Sequence, residues 1–155
     1  MTIDLDAVRA IAAQHQGTPG GLLPALHAVQ GTLGHVPDEV VPVLAETFNL
    51  SRAEVHGVVT YYHDFRRTPP GRHVVEICRA EACKACGADD LLARAEALLG
   101  CISHHTRADG EVTLQPVYCL GLCASSPALR IDDRLHARVT PGRLDALLAP
   151  IGVAQ

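Results

Sequence analysis

HVVEICRAEAC, His73 to Cys83, decides how this chain is read. Its opening HVVEI is rich in β-branched residues and predicts a strand that runs straight into Cys78, with a second cysteine at Cys83. The pattern recurs downstream. EVTLQPVY, Glu111 to Tyr118, is a second apolar run, interrupted by Pro116, and it leads into CLGLC, Cys119 to Cys123. Between the two, Leu91, Leu92, Ala95, Leu98 and Leu99 recur at helical spacing, and Gly100 is a stop signal. A strand–helix–strand unit of this size predicts two parallel strands joined by a right-handed crossover. Parallel strands end on the same edge of a sheet, so Cys78 and Cys119 are expected to meet there. Both cysteine pairs are read as loop-borne, and Gly121 gives the second loop a residue that tolerates unusual backbone angles.

Upstream of this unit the pattern is helical throughout. Leu5, Val8, Ile11 and Ala12 form one stripe, with Asp4 as a cap, and GTPGG at Gly17 to Gly21 ends it. Leu22, Leu26, Val29 and Leu33 form the next, with a start expected around Pro24. Pro37, Asp38 and Glu39 open a third helix carrying Val40, Val41, Leu44 and Phe48, in which Pro42 must fall early. Ser51 and Glu54 spell a capping box ahead of Val55, Val58, Val59 and Tyr62. TPPG, Thr68 to Gly71, then marks a linker, and the chain is expected to divide into residues 1–70, a helical subunit-docking segment, and residues 71–155.

Downstream of Cys123, Ala128 to Ile131 and Arg134 to Val139 predict a hairpin turning at Asp132 and Asp133. Thr140 and Pro141 cap and start a last helix with Leu144, Leu147 and Leu148. The C-terminal order is thus β-α-β-β-β-α, and the whole is mixed α+β/α/β.

Composition narrows the function. The 155 residues are 48% hydrophobic and can bury a core, and the formal charge of −4 gives no attraction to nucleic acid or an anionic membrane. With 3% aromatics and no Trp, base-stacking platforms are not expected. No apolar run is long enough to span a bilayer, and MTIDLDAVRA opens with acids where a signal peptide would carry basic and then apolar residues. A cytoplasmic setting is expected, where clustered cysteines point to metal or redox chemistry before disulfides.

Four thiolates, from Cys78, Cys83, Cys119 and Cys123, are a donor set suited to an iron–sulfur cluster, because soft sulfur ligands suit iron held with sulfide. Two other readings use Cys86. A zinc-stabilised interaction module would take Cys83 and Cys86 as a CxxC beside Cys119 and Cys123, but would leave Cys78 unused. A thiol–disulfide protein would use the same CxxC alone. Cys101 reads as a spare thiol, and His104 and His105 as solvated side chains in a polar loop. Tyr61, Tyr62 and Phe65 hold three of the five aromatics and would mark a docking face where exposed.

The order of helical segment, CxxxxC, crossover helix and CxxxC resembles the small thioredoxin-like [2Fe–2S] ferredoxin subunit of complex I, as does the run from Leu22 to Phe65. CRAEAC and YCLGLCASSPA resemble more closely the gamma subunit of the soluble NAD-dependent formate dehydrogenases. The resemblance implies a thioredoxin-like cluster domain and one [2Fe–2S] cluster on Cys78, Cys83, Cys119 and Cys123. It also implies a flavoprotein partner carrying FMN and binding NAD, and a formate-oxidising molybdenum or tungsten subunit in the same complex. The equivalent subunit of complex I or of an NAD-reducing hydrogenase is the alternative. No Gly-rich dinucleotide loop follows a strand here, so the chain is expected to transfer electrons and not to catalyse alone.

Overall fold

The computed structural model describes residues 3–152. The chain forms two compact units, Met1–Pro69 and Pro70–Gln155.

The first unit is four helices, α1 (Leu5–His15), α2 (Leu22–Leu33), α3 (Val40–Phe48) and α4 (Arg52–Tyr61). The capping signals do what their chemistry predicts. Asp4 accepts from the amides of Asp6 and Ala7, and Ser51 and Glu54 satisfy each other's free amides. Both prolines lie in first turns, where no intrahelical partner is lost: α2 begins at Leu22, two residues before Pro24, and α3 at Val40, two before Pro42. The third helix therefore starts later than Pro37–Glu39 suggested, and Asp38 instead takes a bidentate contact from Arg67 at 2.8 Å. Val8, Leu26, Val29, Val40, Leu44 and Val55 form the core of this unit.

The second unit is built on one five-stranded sheet. Its strands are β1 (His73–Cys78), β2 (His105–Thr106), β3 (Val112–Val117), β4 (Leu129–Ile131) and β5 (Arg134–His136), in the order β2-β3-β1-β4-β5. β1 and β3 run parallel, with Cys78 opposite Val117, and the other pairings are antiparallel. The helices α5 (Glu81–Ala85) and α6 (Ala88–Leu99) lie in the crossover, and α7 (Pro141–Leu148) closes the unit. Val75, Ile77, Val112, Leu114 and Leu129 pack with Leu91, Leu92, Ala95, Leu99, Leu144 and Leu148 in one core. Arg94 on α6 and Asp145 on α7 clip the two helices together at 2.6 Å.

Two elements differ from expectation. The stretch between Cys78 and Cys83 is not all loop, because Glu81, Ala82, Lys84 and Ala85 are good helix formers and wind α5 around Cys83. His105 is not in a loop but in β2, an edge strand too short to show alternation. Among the described residues, no helix is long and apolar enough to cross a membrane.

Candidate metal centre

The parallel register of β1 and β3 delivers Cys78 and Cys119 to the same edge of the sheet. Cys78 ends β1, and the chain beyond it is tied across the edge: the Cys78 amide donates to Ala128 O at 3.0 Å and the Arg79 amide to Val117 O at 2.7 Å. Cys119 follows β3 with a positive φ of 92°, and Gly121 at 77° completes the reversal that returns the chain to Cys123. A short 3-10 turn, Cys123–Ser125, and a cis Ser126–Pro127 bond then lead into β4.

The four thiols gather as two unlike pairs. Cys78 and Cys83 are 2% exposed, packed with Ala88 and Ala128 and flanked by Val117, Leu120 and Leu122. Cys119 and Cys123 are exposed, with their sulfurs 3.5 Å apart. Backbone amides turn toward the sulfurs, with Gly121 N–H reaching Cys119 Sγ at 3.4 Å. Burial pushes the Cys78 thiol up, but the N–H groups of Ala80, Cys119 and Leu120 and the Cys83 thiol outweigh it and hold it below the ordinary range. Cys123 is pushed up, first by its hydrogen bond with Cys119, then by the charges of Cys119, Cys83 and Cys78 and by burial.

That crowding is the fit test for a cationic group. Four thiolates so placed repel one another unless a cation neutralises them, and amides already aimed at sulfur are what stabilises metal-bound thiolate. The two separate pairs suit a two-iron cluster, in which each iron takes two protein sulfurs.

The remaining candidates fall outside the group. Cys86 is exposed at the C-terminal cap of α5. Cys101 is buried in the helix-packed core and donates to His105 O at 3.2 Å, so its thiol is occupied structurally. Ser126 gives no sequence signal, since nothing in its type separates it from Ser125, yet its hydroxyl lies 3.4 Å from Cys83 Sγ. Tyr118, beside Cys119, is 71% exposed, whereas Phe65 is buried and only Tyr61 and Tyr62 of the aromatic trio reach solvent.

The family profile described as thioredoxin-like [2Fe–2S] ferredoxin matches residues 8–152. The chain belongs to that family. Its cofactor is a [2Fe–2S] cluster and its members of this type are electron-transfer subunits. The thioredoxin-like chain is 33% identical to the second E-type subunit of the NADH-quinone oxidoreductase of Rhizobium meliloti, over 97% of its own length and 89% of the relative's. Against the E-type subunit of the NADH-quinone oxidoreductase of Pseudomonas aeruginosa the identity is 38%, covering 81% of this chain and 76% of that one. Against the HndA subunit of the NADP-reducing hydrogenase of Solidesulfovibrio fructosivorans it is 30%, covering 84% and 76%. A crystal structure of an NAD+-reducing [NiFe]-hydrogenase in the H2-reduced state matches with a TM-score of 0.71 and 27% identity. That match takes in 84% of this chain but only 22% of the hydrogenase chain.

Proposed function

We propose that Cys78, Cys83, Cys119 and Cys123 hold one [2Fe–2S] cluster through which this chain exchanges single electrons with the FMN of a partner NAD-binding subunit. The observation that carries this reading is the convergence of two thiol pairs, one buried and one exposed, at the shared end of β1 and β3. When bound, the cluster supplies one-electron chemistry, whereas hydride exchange with NAD moves electrons in pairs, so a flavin belongs between them.

The chain's own residues define the rest of the role. Cys78 and Cys83 anchor the site in apolar surroundings, and Cys119 and Cys123 present it to a partner. The amide of Gly121 supports negative charge on Cys119. The helical unit is the docking segment.

CRAEAC and YCLGLCASSPA favour, as parent assembly, a cytoplasmic NAD-dependent formate dehydrogenase with a molybdenum or tungsten subunit. The relatives named above favour a second reading, the equivalent subunit of complex I or of a hydrogenase. Purification of the native complex separates them: formate-dependent NAD reduction supports the first, and a complex active only with hydrogen or a quinone overturns it.

The cluster itself is tested by replacement. Serine at Cys78, Cys83, Cys119 or Cys123 loses or severely perturbs the visible absorbance, and Cys86→Ser and Cys101→Ser keep it. Mixed with the flavin subunit, the chain bleaches on addition of NADH and gains a reduced-cluster paramagnetic signal. Stoichiometric zinc without iron, after growth with ample iron, defeats the assignment. A chain lacking the helical unit that still binds the flavin subunit with unchanged affinity moves the docking role to the other unit.

A further inference from the structure

The Ser126 hydroxyl sits between a carbonyl oxygen and a sulfur, with one proton to donate in a hydrogen bond. Its oxygen is 2.9 Å from the carbonyl oxygen of Cys123 and 3.4 Å from Cys83 Sγ. With a free thiol at Cys83 both contacts are satisfied together, because the thiol donates to Ser126 and Ser126 donates to the carbonyl. A metal-bound Cys83 has no S–H. Its sulfur is then only an acceptor, and the single hydroxyl proton must choose between that sulfur and the carbonyl.

We propose that Ser126 is a positioning residue whose hydroxyl donates a hydrogen bond to Cys83 Sγ when the bound cluster is reduced, and so raises the reduction potential. This rests on Cys83 being a ligand, as proposed above. Reduction adds one electron and the donor is the external reductant; no covalent bond changes. The added negative charge lies partly on sulfur, and a hydrogen bond to a charged acceptor is stronger than one to a neutral carbonyl. Cys83 is buried, so little water competes for its sulfur. The hydroxyl therefore stabilises the reduced state more than the oxidised state. It also joins the two cysteine-bearing segments, since Cys83 follows β1 and Ser126 follows β3. Were the hydroxyl to keep donating to the Cys123 carbonyl, its oxygen would face the sulfur and the sign would reverse.

The test is a redox titration of the full-length, cluster-loaded chain, followed by visible absorbance. Ser126→Ala is expected to lower the equilibrium constant for one-electron uptake about tenfold, which moves the midpoint about 59 mV negative. Ser126→Thr restores it, and Ser125→Ala leaves it in place. Should the alanine variant fail to hold iron, Ser126→Thr against Ser126→Val carries the same comparison, because the two differ by a hydroxyl and a methyl of similar size. A potential unchanged or shifted positive in a fully loaded variant without the hydroxyl overturns the proposal, as does a negative shift that threonine fails to restore. Failure of the underlying ligand assignment shows differently: Cys83→Ser keeps an unaltered cluster, whatever Ser126 does.

Discussion

Cys119 and Cys123 hold their sulfur atoms 3.5 Å apart on a surface loop, while Cys78 and Cys83, at the same edge of the sheet, are closed off from solvent. In the cluster-free chain this difference fixes the order of thiol chemistry. Cys86, Cys119 and Cys123 are expected to react with iodoacetamide about tenfold or more faster than Cys78, Cys83 and Cys101, burial outweighing the depressed value of Cys78. Because Cys119 pushes Cys123 up, Cys123 is less ionised at neutral pH than an ordinary thiol. Cys119→Ser should therefore speed the labelling of Cys123 at neutral pH and shift its rate profile to lower pH. Peptide mass mapping across a pH series reads both effects.

Gly71 and Gly31 should respond oppositely to alanine. A β-carbon at Gly71 would stand 2.8 Å from the backbone N and C of Val112 and 3.0 Å from Gly110 O, where the start of β3 cannot step aside. Gly71→Ala is expected to cost about 1–3 kcal/mol. Gly31, exposed within α2, has nothing within 4 Å, and Gly31→Ala should gain about 0.5–1 kcal/mol by removing chain entropy and improving helix propensity. Urea titrations of both variants settle the pair of signs.

Asp132 ties the β4–β5 turn to β1. One carboxylate oxygen meets His73 Nδ1 at 2.9 Å and the other accepts from Val74 N–H at 2.9 Å. Burial pushes its carboxyl up, but the His73 and Val74 contacts outweigh it and hold the value below the usual aspartate range. A depressed acid stabilises the fold above its unfolded value, about 3.9, and loses that contribution as pH falls through the folded value. Asp132→Asn should thus lower the melting temperature at neutral pH, and the difference from wild type should shrink toward about pH 3. A difference that grows with acid would show that the pairing is not the cause.

Ser51→Ala removes one half of a reciprocal cap on α4, where Ser51 Oγ receives the Glu54 amide at 3.1 Å and Glu54 receives the Ser51 amide at 2.7 Å. A loss of about 1 kcal/mol is expected in the helical unit, measured by denaturant unfolding followed by circular dichroism.

The sheet that carries the site was legible because apolar strands, a helical stripe and a crossover leave one right-handed solution. The hairpin at Asp132 and Asp133 was legible for the same local reason, as were the caps at Asp4, Ser51 and Thr140. What escaped was set by tertiary surroundings. β2 pairs only at His105 and Thr106, too few residues to carry a period, and α5 is a single short turn hidden under a cysteine motif. The split of four chemically identical thiols into a buried and an exposed pair has no sequence signature, because it depends on what Ala88, Ala128 and the flanking leucines cover. Ser126 was silent for the same reason: its reach to Cys83 crosses from one loop to another.

The pairing of Cys78 with Val117 works as a ruler. A slip of one residue between β1 and β3 would carry Cys119 about 3.3 Å along the strand, more than a typical metal–sulfur bond length. The same slip would turn Val112 and Leu114 away from the interior they share with Leu99 and Leu144. The aliphatic side chains that keep the sheet in step therefore also calibrate the distance between thiols. Substitutions that loosen the interior far from any cysteine should detune the cofactor before they unfold the protein.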